Sequence, residues 1–372
     1  MTITARGFTQ SRHHLHLPHV PESMTTKLEH LDVVDCRLSI ANLRPLLEDC
    51  PKLKFLAVMK EGNMEENKTA LAECCPKLQH LHYRPWLARG HILAIPKSDD
   101  VVGAEYKEGQ RVTGGICLHG LYIDVTDAHD FLDQWRIKVL RLASEQQHWL
   151  QDTSSTVEQL IIQNLHTLEI LDLSLPVNPF QALVPLFKFM DKLKSLQLHF
   201  KYERQVVYST MLGILGQISG MASRHPTLQS ISLSITPFPG NAPFVTHGAT
   251  IVHTIASIAH LKQIEIVLWE IKADDLALLF EKARNLERIT LNLSPLIITE
   301  RMFTALASLP LHTLVLVSGR VGSLNDNGLI QFIDHHAGPL MKMSLRGDIR
   351  NDRNSASITY AYQKLGTRFQ FH

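Results

Sequence analysis

No apolar run in this sequence reaches the ~18–20 residues that a membrane-spanning helix requires, so no membrane partner is expected. Charge of one sign is missing too: 37 Lys and Arg stand against 36 Asp and Glu, so no net field selects nucleic acid. Cysteine is scarce, and the five present (Cys36, Cys50, Cys74, Cys75, Cys117) include no C-x-x-C pair. Reduced, buried thiols are expected rather than a disulfide framework. The opening residues MTITARGFTQ lack the basic-then-apolar pattern of a secretory leader, so the expected location is cytoplasmic or nuclear.

Catalytic signatures are absent as well. There is no G-x-S-x-G, no Walker loop and no H-E-x-x-H. Asp32 and Asp124 fall on strands three apart, about 14 Å, too far for two carboxylates to share chemistry. The expectation is therefore no enzyme and no cofactor. Histidine is plentiful at 21 residues, and His14 and His16, two apart, with His19 beyond Pro18, have the spacing of candidate zinc ligands. Without a fourth ligand close by, a solvated strand face is the better reading, and no metal is expected. His335 and His336 precede Gly338-Pro339, where cationic imidazoles would complement a helix C-terminus.

What the sequence has is a repeat. With 45% apolar residues it reads as globular, yet 372 residues exceed what a single core normally serves. The pattern L-x-x-L-x-L, with Ile, Val, Met or an aromatic allowed for Leu, starts at residues 28, 53, 78, 118, 137, 168, 193, 228, 261, 286, 311 and 340. The intervals are 25, 25, 40, 19, 31, 25, 35, 33, 25, 25 and 29, and 25 recurs within the range of leucine-rich repeats. Positions four and six would point into the core from a short strand, and positions three, five and seven to solvent. Between strands, segments such as IANLRPLLEDC, KTALAECC, DAHDFLDQW, NPFQALVPLFKFM, LALLFEKAR and MFTALASL carry helical spacing.

The predicted fold class is α/β: a leucine-rich-repeat solenoid, a curved horseshoe of about twelve strand–turn–helix repeats with a parallel sheet on its concave face. The chain reads as one solenoid over 1–372. Within it, 1–27 would be a degenerate N-terminal repeat or cap, 85–117 an insertion loop, and 346–372 a C-terminal cap.

Two helices end alike, in LLEDCPKLKFL and LAECCPKLQHL, where a Cys-Pro pair (Cys50-Pro51, Cys75-Pro76) leads straight into the next L-x-x-L. Over residues 28–83 this resembles the cysteine-containing leucine-rich repeats of F-box proteins and their F-box-less relatives. The resemblance implies a non-catalytic protein-binding scaffold, similar to the substrate-recognition part of a cullin-type ubiquitin ligase. It implies cullin-ligase components as partners where an F-box lies upstream; residues 1–27 do not resemble one. Two alternatives stay open: a stand-alone interaction module or inhibitor, and a small-ligand receptor with a pocket under the insertion loop, walled by Arg84, Arg141, His82 and Tyr122.

Binding anchors are sought on the strand face opposite the helices, because the core does not need it. The early strands place His30, Asp32, Phe55, Met59, His80, His82, Arg84, Tyr122, Asp124 and Arg141 there, with Trp86 following in the insertion. Aromatic, Met and Arg side chains are the types that anchor protein interfaces. The expected footprint of a protein partner is thus the second to fifth strands with 85–117. The middle strands, with Ser195, Ser230, Ser232 and Ser234, read as an energetically quiet serine ladder.

Overall fold

The computed structural model describes residues 2–4, 27–33, 38–59, 62–84, 118–134, 136–144, 151–201, 227–236, 248–256, 260–267, 271–293, 299–318, 326–347 and 356–371, with isolated positions between 213 and 225 and Ile258. They fall into two compact units, Met1–Asn164 and Leu165–His372. Cys36, Cys117, Trp86, the segment 85–117 and the histidines at 14, 16 and 19 lie outside the described residues.

The first unit holds β1 (Thr2–Thr4), β2 (His30–Asp32), β3 (Phe55–Met59), β4 (His80–Arg84), β5 (Gly120–Asp124) and β6 (Val139–Ala143). Each pairs in parallel with the next in chain order. Its helices are α1 (Ile40–Glu48), α2 (Met64–Cys74) and α3 (Gln151–Asn164). The second unit holds β7 (Ile170–Pro176), β8 (Ser195–Lys201), β9 (Ser230–Thr236), β10 (Gln263–Val267), β11 (Arg288–Leu293), β12 (Thr313–Ser318), β13 (Lys342–Gly347) and β14 (Phe369–Phe371). These too pair in parallel in sequence order. Alternating with them are α4 (Val177–Phe187), α5 (Gly248–Ala256), α6 (Ala273–Lys282), α7 (Glu300–Ala307), α8 (Asp326–His336) and α9 (Ala356–Leu365). This is leucine-rich-repeat architecture in both units, an α/β fold in which parallel strands alternate with helices among the described residues.

The register follows the repeat. Leu31, Leu56, Leu81, Leu121 and Leu140 are successive Cα partners, as are Leu171, Leu196, Ile231, Ile264, Ile289, Leu314 and Met343. All are 2% exposed or less, so each strand buries the same position against the helices. The helices answer with their own apolar faces, Leu43 and Leu47 on α1 and Leu276, Leu279 and Phe280 on α6. A shift of one residue would turn every one of these leucines to the other face, which fixes the pairing.

Hydrogen bonds at the start of each strand repeat as well. The Glu29 carbonyl accepts from the amides of Lys54 and Phe55, the Lys54 carbonyl from Gln79 and His80, and the Lys262 carbonyl from Glu287 and Arg288. The side chains at this position pair along the same line, Lys54 with Glu29 at 3.1 Å and Lys194 with Glu169 at 2.6 Å. The Cys-Pro ends of α1 and α2 are tight turns. The Cys50 carbonyl accepts from Leu53 N and the Cys75 carbonyl from Leu78 N, both at 3.0 Å, with Pro in the second turn position that its fixed φ favours.

Two departures from the sequence reading have physical causes. DAHDFLDQW does not form an α-helix; Val125–Phe131 winds as a 3-10 helix. Only 19 residues separate the flanking strand patterns, and the tighter winding covers more length per residue, about 2.0 Å against 1.5 Å. His336 is not a solvated cationic cap: it is 3% exposed, and its Nε2 lies 3.2 Å from the Leu306 carbonyl on α7. Burial pushes its imidazole down to about 4, with His335 adding to the effect, so it is neutral.

Candidate functional site

On β2–β6 the strand face opposite the helices is organised in rows. His30, Phe55, His80 and Gly120 are successive partners in the first. The His30 ring lies flat on Phe55, centroids 4.0 Å apart and planes at 8°, and Phe55 stacks on His80 at 6.5 Å. The rings stop at Gly120, whose next partner is Val139, and the His80 ring takes the space above the glycine: a Cβ there would stand 2.0 Å from His80 Nδ1. In the second row Asp32, Ala57, His82, Tyr122 and Arg141 follow one another. His82 packs against Tyr122 at 5.4 Å, and the Arg141 guanidinium sits over the same Tyr122 ring at 5.0 Å, a cation–π contact. Met59 is paired with Arg84 and Asp124 with Ala143 in the third.

These positions were expected to face solvent freely, and most do not. Met59, His80, His82, Tyr122, Asp124 and Arg141 are between 4% and 9% exposed. Among His80, His82, Tyr122 and Arg141 the rings and the guanidinium lie against neighbours across strands about 4.8 Å apart and so shield one another, which the two-residue period of a strand says nothing about. His30, Asp32 and Phe55 are half-buried and form the accessible margin. Arg84 is on β4 with its side chain outside the described residues. Asp124 also has a local duty, since its Oδ1 accepts from Thr126 N at 2.9 Å and caps the 3-10 helix.

Burial sets the protonation of the rows. Desolvation drives the His80 imidazole down to about 4, assisted by His119 and His30. It also lowers His30, although Asp32 pulls the other way. His82, Tyr122 and Arg141, envisaged above as walls of a ligand pocket, pack on one another, and the insertion that would cover that pocket lies outside the described residues. A cavity of about 710 Å³ lies elsewhere, lined by Glu281, Arg284, Glu300, Arg301, Thr304 and Ser308 on the helical side of the second unit.

The serine ladder is busier than its composition suggested. Asp172, 2% exposed on β7, lies with Oδ1 3.6 Å from His199 Nε2 on β8, and His199 Nδ1 hydrogen-bonds with the Ser234 hydroxyl on β9. Ser232 Oγ donates to Glu265 Oε2 at 3.1 Å. Laying adjacent repeats in register would have shown this chain of polar groups. Among the described residues no group of three or more His, Cys, Asp or Glu side chains is placed to hold a metal. Cys50, Cys74 and Cys75 are free thiols, all buried; burial raises Cys50 to about 11 and Cys75 to about 12.

No family model matches this sequence, and no curated protein does. Solved structures with a similar course of chain include the leucine-rich repeat-containing protein LegL7 from Legionella pneumophila. It is 14% identical, with 90% of this chain covered and 96% of that one, at a TM-score of 0.44. TLR13 in a TLR13-ssRNA13 complex is 13% identical, with 88% of this chain covered and 41% of that one, at a TM-score of 0.36.

Proposed function

We propose that this chain is a non-catalytic protein-binding module that holds its partner on the strand face of β2–β6. One observation carries the reading. The helix-facing side of these strands is buried and apolar but for the Tyr83 hydroxyl, which accepts from Asn67 Nδ2, while the opposite side carries an array of imidazole, phenyl, phenol and guanidinium groups. Of these, the half-buried margin with Phe55 still has surface for a partner to desolvate, and aromatic side chains are rich sources of interface energy. His30, Asp32 and Phe55 are the points of first contact; His80, His82, Tyr122 and Arg141 form a stiff floor beneath. Met59 and Asp124 lie on the same strands, Met59 as the partner of Arg84 and Asp124 as the partner of Ala143.

The finer reading is a substrate receptor of a cullin-type ubiquitin ligase. It rests on the Cys-Pro repeat ends of residues 28–83, whose thiols occupy matching buried sites, each 0% exposed. Site-directed photocrosslinking tests both levels. A benzophenone amino acid at Phe55 should trap a protein, and the same probe at Arg301, on the helical side of the second unit, should not. Equal trapping at both sites, or trapping at Arg301 alone, would remove β2–β6 as the site. Cullin-ligase subunits copurifying with the full chain would support the finer reading; a trapped partner without them leaves an independent binding module.

A further inference from the structure

We infer that the second unit carries a separate docking surface, on β11–β13, for an acidic, extended segment of a protein. Three cations stand on the strand face there: Arg288 on β11, and Lys342 and Arg346 on β13, all exposed. None of them has an ion-pair partner among the described residues. Elsewhere in the same unit Lys194, Lys262, Arg301 and Lys364 each face a carboxylate. The one acidic side chain on the described face of β9–β13 is Glu265, and it already accepts from Ser232.

Register places the three in a frame. Arg288 and Lys342 flank Thr313 in one row, so they are two strands, about 10 Å, apart. Arg346 lies four residues along β13, about 13 Å from Lys342. Inside the frame β12 presents Val315 and Val317, both half-buried. A small apolar centre with a cationic rim is the complement of a segment that carries an apolar side chain between carboxylates. Arginine meets such carboxylates with two parallel hydrogen bonds. Nucleic acid is the poorer fit: single strands bind by stacking bases on aromatic rings, and the described face of β9–β13 has none.

Fluorescence anisotropy on the full chain tests this with three labelled probes: a peptide repeating Glu-Ser-Leu-Ser, which puts Glu and Leu on one face of an extended segment, the same peptide with Lys for Glu, and a single-stranded RNA oligonucleotide. The acidic peptide should bind, and its affinity should fall between about 0.05 and 0.5 M salt as charges are screened. Arg288→Glu, Lys342→Glu and Arg346→Glu together should weaken it at least roughly tenfold and favour the Lys peptide instead. That swap of preference cannot come from misfolding. Lys282→Glu, an exposed change on α6, should do nothing. The proposal is overturned if the acidic peptide fails to bind, if the triple variant leaves its affinity unchanged, if Lys282→Glu weakens it equally, or if the RNA binds more tightly and is lost in the triple variant.

Discussion

Gly120 and His80 occupy one place between them. The imidazole lies where a Cβ at Gly120 would be, and the ring is held there by its stack on Phe55. Gly120→Ala should therefore cost about 1–3 kcal/mol, the usual penalty for overpacking. Urea unfolding of Gly120→Ala, His80→Ala and the double variant would show it as a coupling energy, because with His80 gone the added methyl has room. Additive losses would mean that the two positions do not compete. His80 and His336 make a second test. Both are neutral in the fold, held at about 4 against an ordinary 6.5. Their folded values are lowered, so the unfolded chain takes up protons first as pH falls below 6.5, and stability drops between about 6.5 and 4. The melting temperature should decline over that range, and less steeply in His80→Gln; equal slopes would contradict the assignment. Cys50, buried and thiol-protonated, should lose about 1–2 kcal/mol as Ser, since a buried hydroxyl needs a partner that a thiol does not. Reductant should leave the melting temperature unmoved.

Among the elements, the strands of the repeat were legible because one property decides them. A leucine every second residue can face the helices in one register only, and the observed partners are the leucines of the pattern. The helices at IANLRPLLEDC, KTALAECC and LALLFEKAR were legible for the same reason at a different period. β1 and β14 were not, since TIT and FQF are three residues each and carry no L-x-x-L frame. Asn164 was missed too, although it ties three pieces together. Its amide nitrogen donates to the Gln134 and Leu160 carbonyls, and its oxygen accepts from Ile137 N, all at 2.9 Å. It is 0% exposed. Asn164→Leu should destabilise the chain by roughly 3 kcal/mol, at about 1 kcal/mol per lost bond with buried partners left unmet. A loss below about 1 kcal/mol in chemical denaturation would show that the residues around it relax.

At the scale of the molecule the two units share one repeat and present different chemistry. The first stacks aromatic rings and imidazoles on its open strand face; the second carries no aromatic ring on β9–β13 but hydroxyls, a polar Asp172–His199–Ser234 line and the cations of β11 and β13. Alternation told which side each residue takes. It did not tell how deeply large neighbours would shield one another, so Tyr122 and Arg141, read as free anchors, are part of the packing at 4% and 9% exposure. Truncating them would confound lost binding with lost stability. The decisive variants are at the accessible margin: Phe55→Ala and Asp32→Lys, set against Ser230→Ala on β9. The measurement is the affinity of the partner trapped at Phe55 for each folded variant, by calorimetry alongside melting curves. The account predicts a loss of at least roughly tenfold for Phe55→Ala and Asp32→Lys, as expected of interface anchors, and little change for Ser230→Ala. Unaltered affinity in the first two, with a loss at Ser230, would contradict it.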